Sequence, residues 1–354
     1  MIEIIDVESS VRWDNIVKSF AQHDVYYLSG YVRPFMLHGD GIPKLLFYQE
    51  NNLRAIYVFM LRKTEIEGLY DTTTPYGYGG ILFDGDVNNA TIGLFWKEYA
   101  TCMVEMGVVD DFVRYHPVLQ NAEPLRPFSN IVDLGKTIAI ELQTPDAIWD
   151  NMTSKKRGKI RKAEKNGIQV HHGRGMELFE QFIPIYNGTM DKDDATGYYY
   201  FEHDFYEAIH MGLQNNYEIF YATLNEKVIM MALMLFANGQ MHYHLSGSLL
   251  EYRNLEPNNL VLYEAALWGC DKGFKTLHLG GGVGSGNDAL FEFKKGFNRN
   301  KDYQFSIGKQ LFIPEGYKRL VDKRMEREAN FNPETTFFPS YRADAHVDDL
   351  GGGK

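Results

Sequence analysis

Leu277 to Phe297 reads LHLGGGVGSGNDALFEFKKGF: a short apolar strand, a glycine-rich turn and then a helix. Ser285 and Asp288 stand at capping-box spacing, which predicts a helix start. Beyond it Leu290, Phe293 and Phe297 recur at i, i+3, i+7. At 100° per residue Phe291 falls in the same arc, Lys294 lies inside it, Lys295 sits at its edge and Glu292 points the other way. An ammonium on an apolar face is costly unless an anion or an oxygen-rich ligand meets it. Either Lys294 snorkels, its stem packed and its head in water, or it faces a ligand.

A second segment is as unusual. Ser154 to Gly167, SKKRGKIRKAEKNG, carries Lys155, Lys156, Arg157, Lys159, Arg161, Lys162 and Lys165 against the single acid Glu164. The cations project all round a helix, and four crowd its first turns, where the macrodipole disfavours them. A solvated helix lying over an acidic neighbour is one reading. A phosphate site is the other, with Lys156, Lys159, Arg161 and Lys162 as candidate substrate contacts.

These two segments, with His242 to Ser248 (HYHLSGS) and Asn258 to Gly273 (NNLVLYEAALWGCDKG), resemble in order and spacing the second domain of the Fem family of peptidoglycan-bridge aminoacyltransferases. The first half is similar only through TPYGYGG, Thr74 to Gly80. The resemblance implies two acyltransferase-like domains of GNAT type in tandem, in the compact branch that lacks a long helical arm. It also implies aminoacyl-tRNA as donor, and it matches Phe293-Lys294 to the Phe-Lys pair that meets the donor's acceptor end.

Composition agrees without naming a function. With 354 residues, 44% hydrophobic and 14% aromatic, the chain has material for two ordinary cores. A net charge of −11 argues against an extended nucleic-acid-binding surface, so any RNA contact is expected to be local. Cys102 and Cys270 form no metal-like spacing, and a reducing, cytoplasmic setting is the expectation. The N-terminus MIEIIDVESS is acidic, and the longest apolar run, Val228 to Ala237, is about half a spanning helix, so membrane association is expected to be peripheral at most.

The pattern predicts an α/β (α+β) chain with a boundary at Thr144-Pro145-Asp146: a GNAT-like domain over 1–145, completed by 308–345, and another over 146–307. In the first, strands are expected near Val25–Leu28, Leu45–Tyr48, Ala55–Arg62, Gly79–Phe83, Asp111–Arg114 and Thr137–Leu142, with a helix over 89–106. In the second, helices are expected over 154–166, 176–190, 258–272 and 287–296, and strands over 218–224, 228–236, 240–248 and 276–279. Each domain is read as a mixed, mostly antiparallel sheet flanked by helices. The tail is expected to pack back on the first domain, and residues 351–354 to be disordered.

Acetyl-CoA enzymes of this fold cradle a pyrophosphate on a glycine-containing turn before a helix. The corresponding segment here is Arg253-Asn254-Leu255-Glu256-Pro257-Asn258, in which Pro257 lacks an N–H and Glu256 would repel the phosphate. Coenzyme A is disfavoured as donor, and an activated aminoacyl ester leads. Amine attack on that ester needs orientation and a cation for the oxyanion, which Lys294 could supply beside Phe293. The reading calls for no cofactor and no metal: His242 and His244 share a strand face but lack an evident third ligand.

Tyr243 is a substrate-lining position by resemblance, Tyr199 belongs to the acidic, aromatic loop Met190 to Phe201, and Arg33 is a candidate acceptor contact. That loop departs from the family: Tyr198, Tyr199 and Tyr200 stand where bridge enzymes carry a phosphate-binding arginine, which leaves the acceptor open. The leading function is transfer of an aminoacyl group from aminoacyl-tRNA to an amine of a cell-wall or surface-glycan precursor. The alternative is an acyl-CoA-dependent N-acyltransferase acting on an amino sugar or other small amine, and a third reading is a non-catalytic glycan-binding protein.

Overall fold

The computed structural model describes residues 1–343, which fall into two units; the expectation for 351–354 lies outside them. One unit holds residues 1–135, a short piece at Val283–Gly286 and the described residues from Gln304 onward. The other holds Lys136–Gly282 and Asn287–Tyr303.

The first unit begins with β1 (Ile2–Asp6), α1 (Ser10–Lys18) and α2 (Ser29–His38). Next come β2 (Ile42–Glu50), β3 (Leu53–Lys63), β4 (Tyr70–Thr73), β5 (Leu82–Gly85), α3 (Asn89–Glu105) and β6 (Val108–Arg114). Strands β1 to β4 pair antiparallel in sequence order, β5 adds to β3, and β4 pairs parallel with β6. Helix α3 is capped by Asn88, whose side chain accepts from Ala90 and Thr91 N–H. Its Ile92, Phe95, Tyr99 and Met103 recur at helical spacing and pack on Tyr48, Tyr57 and Phe59 of the sheet. The expected strand at Val25–Leu28 is instead a 3-10 turn, Val25–Tyr27, followed directly by α2. Its apolar run buries all three residues in a turn, which a short run cannot tell from a strand.

The second unit takes β7 (Ile131–Glu141) from Lys136 onward and contains α4 (Pro145–Asn151), α5 (Ser154–Lys165), β8 (Gln169–Gly173), α6 (Met176–Lys192) and α7 (His203–Gly212). It continues with β9 (Tyr217–Leu224), β10 (Lys227–Ala237), β11 (Gln240–Ser248), α8 (Pro257–Asp271), β12 (Thr276–Gly280) and α9 (Ala289–Lys295). Strands β8 to β11 form an antiparallel meander, β12 joins β11 in parallel through α8, and β7 closes on β12 antiparallel. Helices α4, α5 and α8 bury Ile148, Ile160, Leu260, Val261 and Ala265 against Met230, Ala232 and Leu277 of the sheet.

The chain then returns to the first unit as β13 (Tyr303–Leu311), antiparallel to β6, and α10 (Pro314–Arg327). Leu320 of α10 and Tyr341 of the tail pack on Val109 of β6. Tyr341 also donates its hydroxyl to the buried carboxylates of Asp71 and Asp110. Both units are therefore mixed, mostly antiparallel sheets flanked by helices.

Candidate active site

Helix α9 starts one turn later than the capping-box spacing suggests. Asp288, in extended backbone, accepts from Phe291 N–H at 2.8 Å and caps it, while Ser285 occupies a left-handed turn (φ 63) and caps nothing. The carboxylate wins because it sits directly before the helix, where its charge also suits the dipole. Phe291, Lys294 and Phe297 are buried and Phe293 half-buried, but Leu290 faces out at 41% exposure, so the apolar arc begins one residue later than expected.

Lys294 is 9% exposed, so it is not a snorkelling side chain. Its Nζ donates to the carbonyl of Gly281, just beyond β12, at 2.6 Å. Among the described residues no carboxylate comes within ion-pair distance of it. Burial pushes its pKa down to about 8, opposed by Asp288. The ammonium thus commits one of its three N–H bonds to the chain and remains largely protonated near neutrality. Lys295, by contrast, pairs with Asp302 at 3.2 Å.

The basic helix α5 splits into three groups. Lys156 is buried, 4% exposed, and does not stand at the surface as a phosphate contact would. Its Nζ lies 3.7 Å from the ring centroid of Phe293 and 4.1 Å from that of Phe297, and donates to Asn259 Oδ1 at 2.8 Å. Gly296 leaves room for it, since a Cβ there would come within 2.8 Å of Lys156 Cε. Burial, then the like charge of Lys159, lowers its pKa to about 7. Lys159 pairs with Glu256 at 3.1 Å, and Asn259 Nδ2 donates to Glu256 Oε2 at 2.8 Å, so one polar chain runs from Lys159 through Glu256 and Asn259 to Lys156. Arg161 lies 5.0 Å over the Trp149 ring, and Arg157 donates to the carbonyls of Trp149 and Met152. Lys155, Lys162 and Lys165 remain exposed, with no acidic partner among the described residues.

Glu256 adopts a left-handed conformation (φ 67) at the N-terminus of α8, with Pro257 as the first helical residue. Its carboxylate caps no helix N–H and is taken instead by Lys159 and Asn259 Nδ2, so a negative charge stands beside the start of α8.

In β11 the register jumps from Leu233↔Leu245 to Met234↔Tyr243, leaving His244 as a bulge residue and breaking the simple alternation that put His242 and His244 on one face. His242 is buried with its ring edge-on to His278, 5.7 Å away, and burial with the neighbouring His242 drives the His244 pKa down to about 3. Tyr243 is half-buried, packs on the same core as Phe293 and donates to Ser246 Oγ at 2.5 Å. Tyr199 is buried in a separate 3-10 turn, Gly197–Tyr199, edge-on to Tyr198, and is not gathered with Lys294 by any contact of α9. Arg33 lies in α2 rather than after a strand, and donates to the backbone carbonyl of Val7 at 2.7 Å, an internal role.

Three residues escaped the sequence reading. Asn259, which holds Lys156, looks like one more polar helix residue. Asp110 and Asp111, both buried, left a visible trace as two acids inside the apolar run VVDDFV.

Residues 151–295 match the family model described as acetyltransferase (GNAT) domain. The second unit is a GNAT-type acyltransferase domain. The fold of the chain as a whole is shared with FemX, whose crystal structure covers 90% of this chain and is covered over 99% of its own length, at 14% identity and TM-score 0.69. The C-terminal domain of a protein described as a lysylphosphatidylglycerol synthetase from Agrobacterium fabrum covers 86% of this chain and is covered over 91%, at 12% identity and TM-score 0.55. A tandem GNAT protein from the clavulanic acid biosynthesis pathway covers 89% and is covered over 99%, at 8% identity and TM-score 0.50. No curated protein matches the sequence. The tandem GNAT architecture and the Fem-like fold expected from the combined segments and the element order are borne out. Among the described residues no helix is long and apolar enough to cross a membrane.

Proposed function

We propose that the GNAT domain transfers an aminoacyl group from aminoacyl-tRNA to an amine of a cell-wall or surface-glycan precursor, with Lys294 as the cation that meets developing negative charge. The observation that carries this is the buried Lys294 ammonium, held by Gly281 O and unmatched by any carboxylate among the described residues.

In the reaction the amine attacks the ester carbonyl, the new C–N bond forms and the C–O bond to the ribose breaks. The oxygen that leaves takes up the proton the amine gives up. Both the tetrahedral oxyanion and the departing oxygen carry charge that a desolvated ammonium stabilises more than water does. Phe293, half-buried beside Lys294 and clamped by Lys156, offers an apolar wall for the acyl group. The donor's phosphates have the exposed Lys155, Lys162 and Lys165 of α5 available.

Glu256 at the head of α8 weighs against an acyl-CoA donor, because it puts a negative charge beside the helix N-terminus that would otherwise attract a pyrophosphate. The test is a panel of charged tRNAs and acyl-CoAs offered with amine acceptors, read by mass spectrometry. Product from charged tRNA alone is the expected result. Product from an acyl-CoA alone would replace this reading with the N-acyltransferase one.

A further inference from the structure

The loop Thr74–Gly80 is wrapped around Arg114, the last residue of β6. Gly77 O accepts from Arg114 Nε at 2.9 Å, Thr74 Oγ1 accepts from Arg114 N–H at 3.1 Å, and Gly79 N–H donates to Arg114 O at 2.8 Å. The loop is itself pinned from outside: Tyr31 Oη donates to Tyr76 O, Tyr27 Oη to Gly80 O at 3.0 Å, and Asn121 Nδ2 to Gly79 O at 2.8 Å. Gly77 has φ 90, and a Cβ there would stand 2.6 Å from the Tyr26 ring, so the carbonyl that receives Nε is fixed by backbone no other residue adopts easily.

This rigid mounting leaves the terminal nitrogens of the guanidinium unused. Arg114 is half-buried, its Cζ lies 5.3 Å from the Phe305 ring centroid, and its charge is felt by the hydroxyls of Tyr26, Tyr76 and Tyr78. Gly77 O is its only side-chain hydrogen-bond acceptor among the described residues, and no carboxylate comes within ion-pair distance. Asp24, which acts on the same Tyr26, is taken by His116 Nε2 at 2.8 Å and by Val25 N–H at 2.5 Å. A partly desolvated guanidinium with an oriented, unpaired fork is costly unless an oxyanion completes it.

We propose that Arg114 is the anchor of an oxyanion-binding site in the first unit, taking a carboxylate or phosphate group in a bidentate grip on its two terminal nitrogens. Taken with the transferase reading, that group belongs to the acceptor, and Arg114 replaces Arg33 as its basic contact. Binding of the anion itself does not depend on that reading, and it is measured without turnover.

The experiment titrates inorganic diphosphate and, separately, succinate into the full chain, following the Arg114 Nε–H resonance by ¹⁵N NMR and the binding isotherm by calorimetry. Saturable binding of one probe per chain, shifting that resonance, is expected, and Arg114→Gln should weaken it about tenfold or more, the scale of a lost charge-assisted bidentate contact. If Arg114→Gln does not fold, Arg114→Lys, which keeps the charge but not the fork, should still weaken binding several-fold. Response to diphosphate alone identifies a phosphorylated group, and response to succinate a carboxylate. An unmoved Arg114 resonance with both probes, or undiminished binding in the variants, overturns the proposal.

Discussion

Lys156 Nζ lies 3.7 Å from the ring centroid of Phe293, so a cation from α5 supports the aromatic residue that precedes Lys294 on α9. With the Phe297 ring centroid 4.1 Å away and Asn259 as its one acceptor among the described residues, the charge rests on ring faces and an amide oxygen, with Glu256 helping from beyond contact distance. Such contacts offset only part of the cost of burying an ammonium. The pKa of about 7 expresses that deficit.

The deficit has a pH signature. The unfolded lysine titrates near 10.4 and the folded one near 7, so between these values the unfolded chain holds the extra proton and stability rises with pH. Below about pH 7 both states are protonated and the full penalty applies. Chemical denaturation of the native chain and of Lys156→Met should therefore show the native chain gaining on the variant by about 1 kcal/mol or more from pH 7 to pH 10. A difference that stays constant over that range would mean that Lys156 is charged and fully compensated.

Lys294→Met keeps the apolar stem and removes the ammonium. Turnover should drop by about 10²-fold or more, the usual scale for losing an oxyanion contact, with the melting temperature little changed. Lys295→Met should cost far less, since Lys295 pairs with Asp302 at the edge of the helix. Because Lys294 must be protonated to act, the rate should fall as pH rises through about 8. Equal losses from the two variants, or a rate indifferent to pH near 8, would remove Lys294 from the mechanism.

What the sequence disclosed depended on the range of the interaction. The burial of Lys294 was readable because Phe291, Phe293 and Phe297 lie within one turn or so of it, and helical periodicity reports such neighbours. The meander β9 to β11 was readable because β9 and β10 are apolar runs set off by turn residues at Asn225-Glu226 and Asn238-Gly239. Lys156 was not, because the rings that receive it come from α9 and the amide from α8. A local pattern of seven cations gives no hint that one of them points inward. Leu290 was misjudged by one helical step, and Val25–Tyr27 mistaken for a strand, because short apolar runs fix burial better than they fix conformation.

The cations of α5 should separate by role. Replacing Lys155, Lys162 and Lys165 by Gln removes three exposed, unpaired charges and should leave stability within about 0.5 kcal/mol of the native chain. It should weaken a phosphate-bearing donor several-fold, with an affinity in the native chain that falls as salt is added. Lys159→Gln should instead cost stability, because it leaves Glu256 half-buried without its ammonium. Unchanged donor affinity and a flat salt response in the triple variant would exclude α5 from the donor site.

In the first unit the tail is fastened by a carboxylate that prefers to be protonated. Burial, reinforced by the neighbouring charge of Asp71, raises the Asp110 pKa to about 8, while Tyr341 Oη donates to both carboxylates and Arg342 pairs with Asp71. An unfolded aspartate titrates near 3.9, so between about pH 4 and pH 8 the folded chain binds the extra proton and loses stability as pH rises. Asp110→Asn holds a neutral side chain of the same shape in that place. Its stability relative to the native chain should therefore increase from pH 5 to pH 8, by about 1 kcal/mol or more, as followed by denaturant titration. Hydrogen exchange at Tyr341 and Arg342 should slow in the same variant at pH 8. A stability difference that does not change across that interval would show that Asp110 is ionised in the folded chain and that Tyr341 compensates its charge.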